Sequence, residues 1–128
     1  MKAIQDNRCA KLCFKKVLRG EIYYADFDNV YGSEQKGERP VLIIQNSSGN
    51  IFSPTTICAL ISTSDKKSSL PTHVSIDSNE ANLPQNSVVQ LEQIRTIDKK
   101  RLKNKRGKLS HRKMKEINAA IRVSLELI

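Results

Sequence analysis

The chain has 128 residues and a mass of 14.4 kDa, room for one domain whose core removes roughly two thirds of the unfolded surface from water. Its 22 Lys and Arg against 13 Asp and Glu leave a net charge of +9 and a pI near 9.7, the electrostatic footprint of a protein that meets phosphate. The longest apolar runs, 41–44 and 57–61, are too short to cross a bilayer, and Gln5, Asp6, Asn7 and Arg8 stand where a secretory signal would carry its apolar stretch, so a cytoplasmic protein is expected.

Residues 1–19 are polar and without a clean period, and are read as an N-terminal appendage, with Gly20 marking its boundary and 20–128 forming the folded domain. A strand is expected over 21–27, with Tyr23, Ala25 and Phe27 on one face, followed by a polar loop over 28–38 that contains Gly32 and Gly37. Residues 41–45 are apolar on both faces, which predicts a central strand entered through Arg39-Pro40. Ser47, Ser48, Gly49 and Asn50 predict a turn within 46–54, leading to a second buried strand over 55–63. Thr72, Val74 and Ile76 alternate with polar neighbours as in a half-exposed strand, and short strands are expected at 87–91 and 93–97.

The charge is unevenly spread. Residues 20–98 carry five basic and ten acidic side chains, whereas 99–115 carry ten basic and no acidic ones, so a polyanion would be held first along that run. The period then changes. Met114, Ile117, Ile121, Leu125 and Ile128 recur every three or four residues behind a capping Ser110, which predicts an amphipathic helix over 111–127. The expected fold is mainly β with α: five or more short strands in a small, partly open barrel, closed by a C-terminal amphipathic helix.

Three cysteines, Cys9, Cys13 and Cys58, are an odd number without a framework spacing, as in an intracellular protein with reduced thiols. Cys9 and Cys13 with His73 and His111 do not have the spacing of a zinc site, and no metal is expected. Phosphate-cradling, nucleophile-elbow and zincin signatures are absent from the sequence.

Two places could carry chemistry. Arg39 precedes Pro40, which biases its backbone to extended geometry at the entrance of a buried strand, and its guanidinium presents a rigid donor fork suited to phosphate oxygens. Ser62 and Thr63 close the second buried strand, where alternation sends their hydroxyls to opposite faces. Leu70, Pro71 and His73 could offer an edge to a nucleobase. Tyr31 and Phe52 are the aromatic surfaces suited to stacking single-stranded bases.

Several ordered stretches resemble the MazF/PemK family of toxin endoribonucleases, in its Gram-positive form. They are Arg19-Gly20-Glu21-Ile22-Tyr23-Tyr24-Ala25-Asp26, Gly32-Ser33-Glu34-Gln35, Arg39-Pro40-Val41-Leu42-Ile43-Ile44-Gln45-Asn46, Phe52-Ser53-Pro54-Thr55, Leu70-Pro71-Thr72-His73-Val74 and Leu91-Glu92-Gln93-Ile94-Arg95-Thr96-Ile97-Asp98. The resemblance spans about 19–128 and implies an SH3-like or CcdB-like barrel. It further implies a homodimer that cuts single-stranded RNA at short sequences without a metal or other cofactor and is held inactive by a MazE-type antitoxin. The family's catalytic arginine falls on Arg39. Its catalytic threonine falls on Ser62, which keeps the hydroxyl, with Thr63 beside it as the alternative. The substrate-contacting positions match at Ser33, Glu34 and Gln35, and later at Leu70, Pro71 and Gln93.

The chemistry so implied is attack of a 2′-hydroxyl on the adjacent phosphate, to which DNA is inert. Arg39 would act electrostatically, because arginine is not deprotonated in proteins; Glu34 and Glu38 are candidates for the proton acceptor. Two other readings stand beside it: a gyrase-inhibiting toxin of the same fold, and a basic RNA-binding module without catalysis.

Overall fold

The computed structural model describes residues 16–27, 37–64 and 68–128. Arg19 and Gly20 anchor the entry to the sheet. Gly20 has φ +95°, a conformation that L side chains rarely adopt; its N–H donates to Ile43 O at 2.8 Å and its carbonyl accepts from Leu109 N at 2.9 Å. Arg19 beside it donates from Nε to Ile44 O (2.9 Å) and from Nη2 to Asn118 Oδ1 (2.7 Å). Val17 is fully buried in an apolar cluster, so the packed unit begins ahead of Gly20.

Strand β1 (Glu21–Asp26) follows, then β2 (Glu38–Ile43), helix α1 (Ser47–Phe52), β3 (Thr55–Thr63), β4 (His73–Ile76), the one-turn helix α2 (Ser78–Ala81), β5 (Ser87–Asp98), a 3-10 turn (Lys99–Arg101), β6 (Leu102–Lys108) and helix α3 (His111–Ser124). The six strands form an antiparallel sheet in the order β4-β5-β3-β2-β1-β6.

Alternation along the strands makes two apolar surfaces. One collects Ile22, Leu42, Ala59, Ile61, Val74, Ile76 and Val89, and α3 covers it with Met114, Ile117 and Ala120. The other collects Tyr23, Ala25, Phe27, Val41, Ile43, Cys58 and Leu60, together with Ile97 and Leu102. Arg95 on β5 lies over the Phe27 ring at 5.5 Å although two strands lie between β1 and β5, which means that the sheet coils as a barrel does. The expected faces of 21–27 and 41–45 are both observed.

Among the described residues the sheet nevertheless keeps two edges, β4 and β6, and the end of α2 packs against β6. Asn82, just after α2, donates from Nδ2 to Arg106 O (2.9 Å), and Arg106 Nε returns a bond to Asn82 O (3.1 Å). The approach is close: a Cβ at Gly107 would lie 3.4 Å from Ala81 O.

Four local differences from the sequence reading have physical causes. The turn at 46–54 contains α1, because Asn46 caps it by accepting from Gly49 N and buried Asn50 bonds Gln45 and Thr56. The two short strands after residue 86 are one, β5: Ala59 faces Ile94 while Leu60 faces Gln90, so 91–93 bulge from a continuous strand. Residues 102–108 of the basic run form an edge strand, β6. The closing helix, capped by Ser110 Oγ accepting from Lys113 N, ends at Ser124, leaving Leu125 and Ile128 exposed.

Candidate active site

Arg39 and Ser62 approach from neighbouring strands. Val41 pairs with Leu60 and Leu42 with Ala59; continued by two residues, that register sets Arg39 opposite Ser62. Both lie on the face of Val41 and Leu60, and Ala25 on β1 opposes Arg39 from the other side. An open cleft of about 450 Å³ at this end of the sheet is lined by Glu38, Arg39, Pro40, Ile61, Ser62 and Thr63. Thr63 and Glu38 line it from the opposite face of their strands. That face holds a smaller recess of about 180 Å³, between Tyr24, Pro40, Thr63 and Pro84.

The Ser62 hydroxyl donates to Gln90 Oε1 at 2.9 Å. Gln90 sits on β5 directly between Leu60 on β3 and His73 on β4. A polar row therefore crosses four strands on one face: Arg39, Ser62, Gln90, His73. His73 Nε2 contacts Glu92 Oε2 at 2.8 Å, and its Nδ1 contacts Ser68 Oγ at 2.8 Å. Burial alone would raise the Glu92 carboxyl, but the His73 hydrogen bond and charge outweigh it and hold the group below the usual carboxylate range.

The remaining expected contacts fall into three groups. Leu70 and Pro71 are exposed in the turn before β4, which is tied to β5 by Leu91 N donating to Thr72 O (2.9 Å), and Gln93 is exposed at the β5 bulge, so these gather beside His73. Phe52 is half-exposed at the end of α1, at the opposite end of the strands from Arg39. Ser33, Glu34 and Gln35, like Tyr31, Cys9 and Cys13, lie outside the described residues. Among the described residues, Phe27 N donates to Gly37 O at 3.0 Å, two residues before Arg39. Gln90 and Glu92 were not singled out by sequence; their roles come from cross-strand neighbours that no local pattern marks.

The basic run is only partly a surface. Lys99 is buried, with its Nζ on Asn50 O, and burial lowers its pKa. Arg101 donates to Asp26 O, Lys105 pairs with Glu21, Arg106 stacks on Tyr24 at 5.6 Å, and Lys113 reaches Ser75 O. Lys100, Lys103, Lys105, Lys108, Arg112 and Lys115 are the exposed members. Cys58 is buried, and burial pushes its thiol up to about 12, so it is inert near neutral pH. Among the described residues, no three His, Cys, Asp or Glu side chains are placed to hold a metal ion, and no helix is long and apolar enough to cross a membrane.

A small coiled sheet with a guanidinium and a hydroxyl at its open end has well-defined relatives. The family of PemK-like, MazF-like toxins of type II toxin-antitoxin systems matches residues 18–125. Endoribonuclease MazF of Staphylococcus saprophyticus is 54% identical over 109 residues, 85% of this chain and 91% of that protein. A solved endoribonuclease in complex with its cognate antitoxin, from a mycobacterial species, superposes with a TM-score of 0.72 at 25% identity, over 88% of this chain and 97% of that one. MazF of Deinococcus radiodurans, at 19% identity, shares the fold with a TM-score of 0.70 over 88% of this chain and 98% of that one. The chain belongs to the PemK/MazF family of type II toxins. Within that class it is an endoribonuclease of the MazF type.

Proposed function

We propose that the chain is a cytoplasmic, sequence-specific toxin that cuts single-stranded RNA, mRNA included, without a metal ion, and so halts growth until a cognate antitoxin neutralises it. The observation that supports this most directly is the placement of Arg39 across from Ser62 on one face of an open cleft.

In the proposed step the 2′-oxygen bonds to phosphorus as its proton leaves, the P–O5′ bond breaks, and the 5′-oxygen takes up a proton. The products carry a 2′,3′-cyclic phosphate and a 5′-hydroxyl. Arg39, donor-only and permanently charged, stabilises the charge that builds on the phosphoryl oxygens. Ser62 is the second catalytic group, with Thr63 the alternative.

Ser33, Glu34, Gln35, Phe52, Leu70, Pro71, His73 and Gln93 are proposed to hold the flanking nucleotides. Two copies of the chain would form a homodimer, and an acidic segment of a MazE-type antitoxin would compete with RNA for the cleft and the exposed lysines. The boundary expected at Gly20 is proposed to lie ahead of Val17, which is buried in the core, with the residues before it an appendage to the toxin domain.

The test is direct. The purified chain is incubated in excess EDTA with a long single-stranded phage RNA and, separately, with DNA of the same sequence, and the ends of the fragments are analysed. Cleavage of RNA alone, leaving 5′-hydroxyls, supports the reading; a requirement for added magnesium, or 5′-phosphate ends, overturns it. Intact RNA retained in a salt-sensitive manner would leave a binding module, and trapped cleavage of supercoiled DNA by added gyrase would leave a gyrase poison.

A further inference from the structure

We propose that Gln90 is a positioning residue that fixes the single proton of Ser62, so that Ser62 meets the substrate as a hydrogen-bond acceptor from the attacking 2′-hydroxyl. The inference rests on the reading of Arg39 and Ser62 as the catalytic pair, and it assigns each of them a different half of the reacting group.

A serine hydroxyl has one proton and two lone pairs. Here the proton is committed: Oγ donates to Gln90 Oε1 at 2.9 Å. Gln90 is half-buried and held from both sides, opposite Leu60 on β3 and opposite His73 on β4. Its carboxamide is neutral, so it takes the bond without removing the proton. What Ser62 turns toward the cleft is therefore lone-pair density.

The substrate offers few matches to such a group. The non-bridging phosphoryl oxygens and the O5′ leaving atom only accept hydrogen bonds, whereas the 2′-hydroxyl can donate. An acceptor at Ser62 thus selects the 2′-hydroxyl. The donor-only guanidinium of Arg39, opposite Ser62 by register, selects the phosphoryl oxygens. Holding the nucleophile by its proton on one strand and the phosphate by its oxygens on the next sets the 2′-oxygen against phosphorus before reaction.

The same argument distinguishes the two candidate hydroxyls. Ser62 lies on the Arg39 face and has Gln90 as its acceptor; Thr63 is exposed, points to the other face and lines the recess beneath Pro40 and Tyr24.

The test uses the full chain and a short RNA oligonucleotide spanning a cut site mapped in phage RNA. Gln90→Leu removes the acceptor, Gln90→Glu keeps one, and both are checked for native melting. We expect Gln90→Leu to lower kcat/KM about tenfold, partly through kcat and partly through weaker binding of the ribose, the size of one lost hydrogen bond, and Gln90→Glu to restore most of it. Adding Gln90→Leu to Ser62→Ala should cost nothing further.

A second measurement needs no turnover. In an Arg39→Ala background, binding of the all-ribose oligonucleotide is compared with that of one carrying a single 2′-deoxy at the cut position. The ribose preference should disappear when Ser62→Ala is added and shrink with Gln90→Leu. A Gln90→Leu enzyme with wild-type kcat/KM, or a ribose preference indifferent to Ser62 and Gln90, overturns the role of Gln90 while leaving the catalytic pair in place. If Ser62→Ala itself cuts as well as wild type, it is the underlying pair that falls.

Discussion

Arg19 and Asn118 are 99 residues apart in sequence and 2.7 Å apart in space, where the Arg19 guanidinium joins the lead-in of β1 to the middle of α3 while its Nε holds Ile44 O at the end of β2. Burial lowers the pKa of this arginine, and its bonds to one carbonyl and one side-chain amide offset the desolvation. The arginine of the Arg-Gly-Glu string is thus a clamp and does not line the cleft of Arg39 and Ser62.

Removing the clamp should cost stability and spare the chemistry. Arg19→Ala is expected to lower unfolding free energy by about 1.5–3 kcal/mol, the range for hydrogen bonds to charged groups. Asn118→Ala should cost less, and the two should be non-additive because they share one bond. Urea denaturation of both single variants and the double variant measures this, and kcat per folded molecule should stay at the wild-type value for all three.

Arg39→Ala should do the reverse. Loss of a preorganised donor at the developing charge is expected to lower kcat by about 10²–10³-fold, roughly 3–4 kcal/mol of barrier, without a matching fall in stability. Single-turnover cleavage of the mapped oligonucleotide reads the first quantity and thermal melting the second. Activity within threefold of wild type would remove Arg39 from the mechanism.

Ser62→Ala and Thr63→Ala should differ in kind. The first removes the hydroxyl on the Arg39 face and should lower kcat; the second alters the wall of the recess on the other face and should act mainly through KM. A kcat loss larger for Thr63→Ala than for Ser62→Ala would exchange their assignments.

Acid should loosen the junction of β1 and β6. Buried Glu21 accepts from Leu18 N (2.7 Å) and the Tyr23 hydroxyl (3.1 Å) and pairs with Lys105 Nζ at 2.5 Å. Burial alone would raise its pKa, but those partners outweigh it and bring it below the ordinary value. A depressed carboxylate stabilises the fold above its unfolded pKa, roughly 4.3 for glutamate, and that contribution is lost as pH falls through the lower folded value. Tyr23, pushed up to about 12 by burial and by Glu21, sets the alkaline side: its contribution is full below the unfolded tyrosine value near 10 and fades as pH rises toward 12. Glu21→Gln should flatten the acid limb of a stability-pH curve measured by denaturation.

Much of this architecture was legible in the sequence because burial writes a pattern. Val41, Leu42 and Ile43 are apolar on both faces and do occupy the middle of the sheet; Met114 and Ile117 recur at helical spacing and do form the face of α3 that is buried against the sheet. What escaped was held by other means. β6 exposes most of its side chains and so has no apolar alternation, and its strand character comes from pairing with β1. α1 is held by Asn46, Asn50, Gln45 and Thr56, polar residues that also make turns. At the site, Arg39 was marked by its proline and Ser62 by its place at a strand end, while Gln90 depends on a partner 28 residues away.

The basic stretch has one more consequence, through β6. An uncovered sheet edge is an open template on which another chain can extend the ladder, and repeated addition of that kind builds fibres. Lys103, Lys105 and Lys108 stand along this border, and Asn82 occupies the Arg106 carbonyl. A second copy arriving edge to edge would bring its own lysines against these and be repelled. Part of a charge that looks like bait for nucleic acid thus serves as a fence that keeps a small sheet from polymerising.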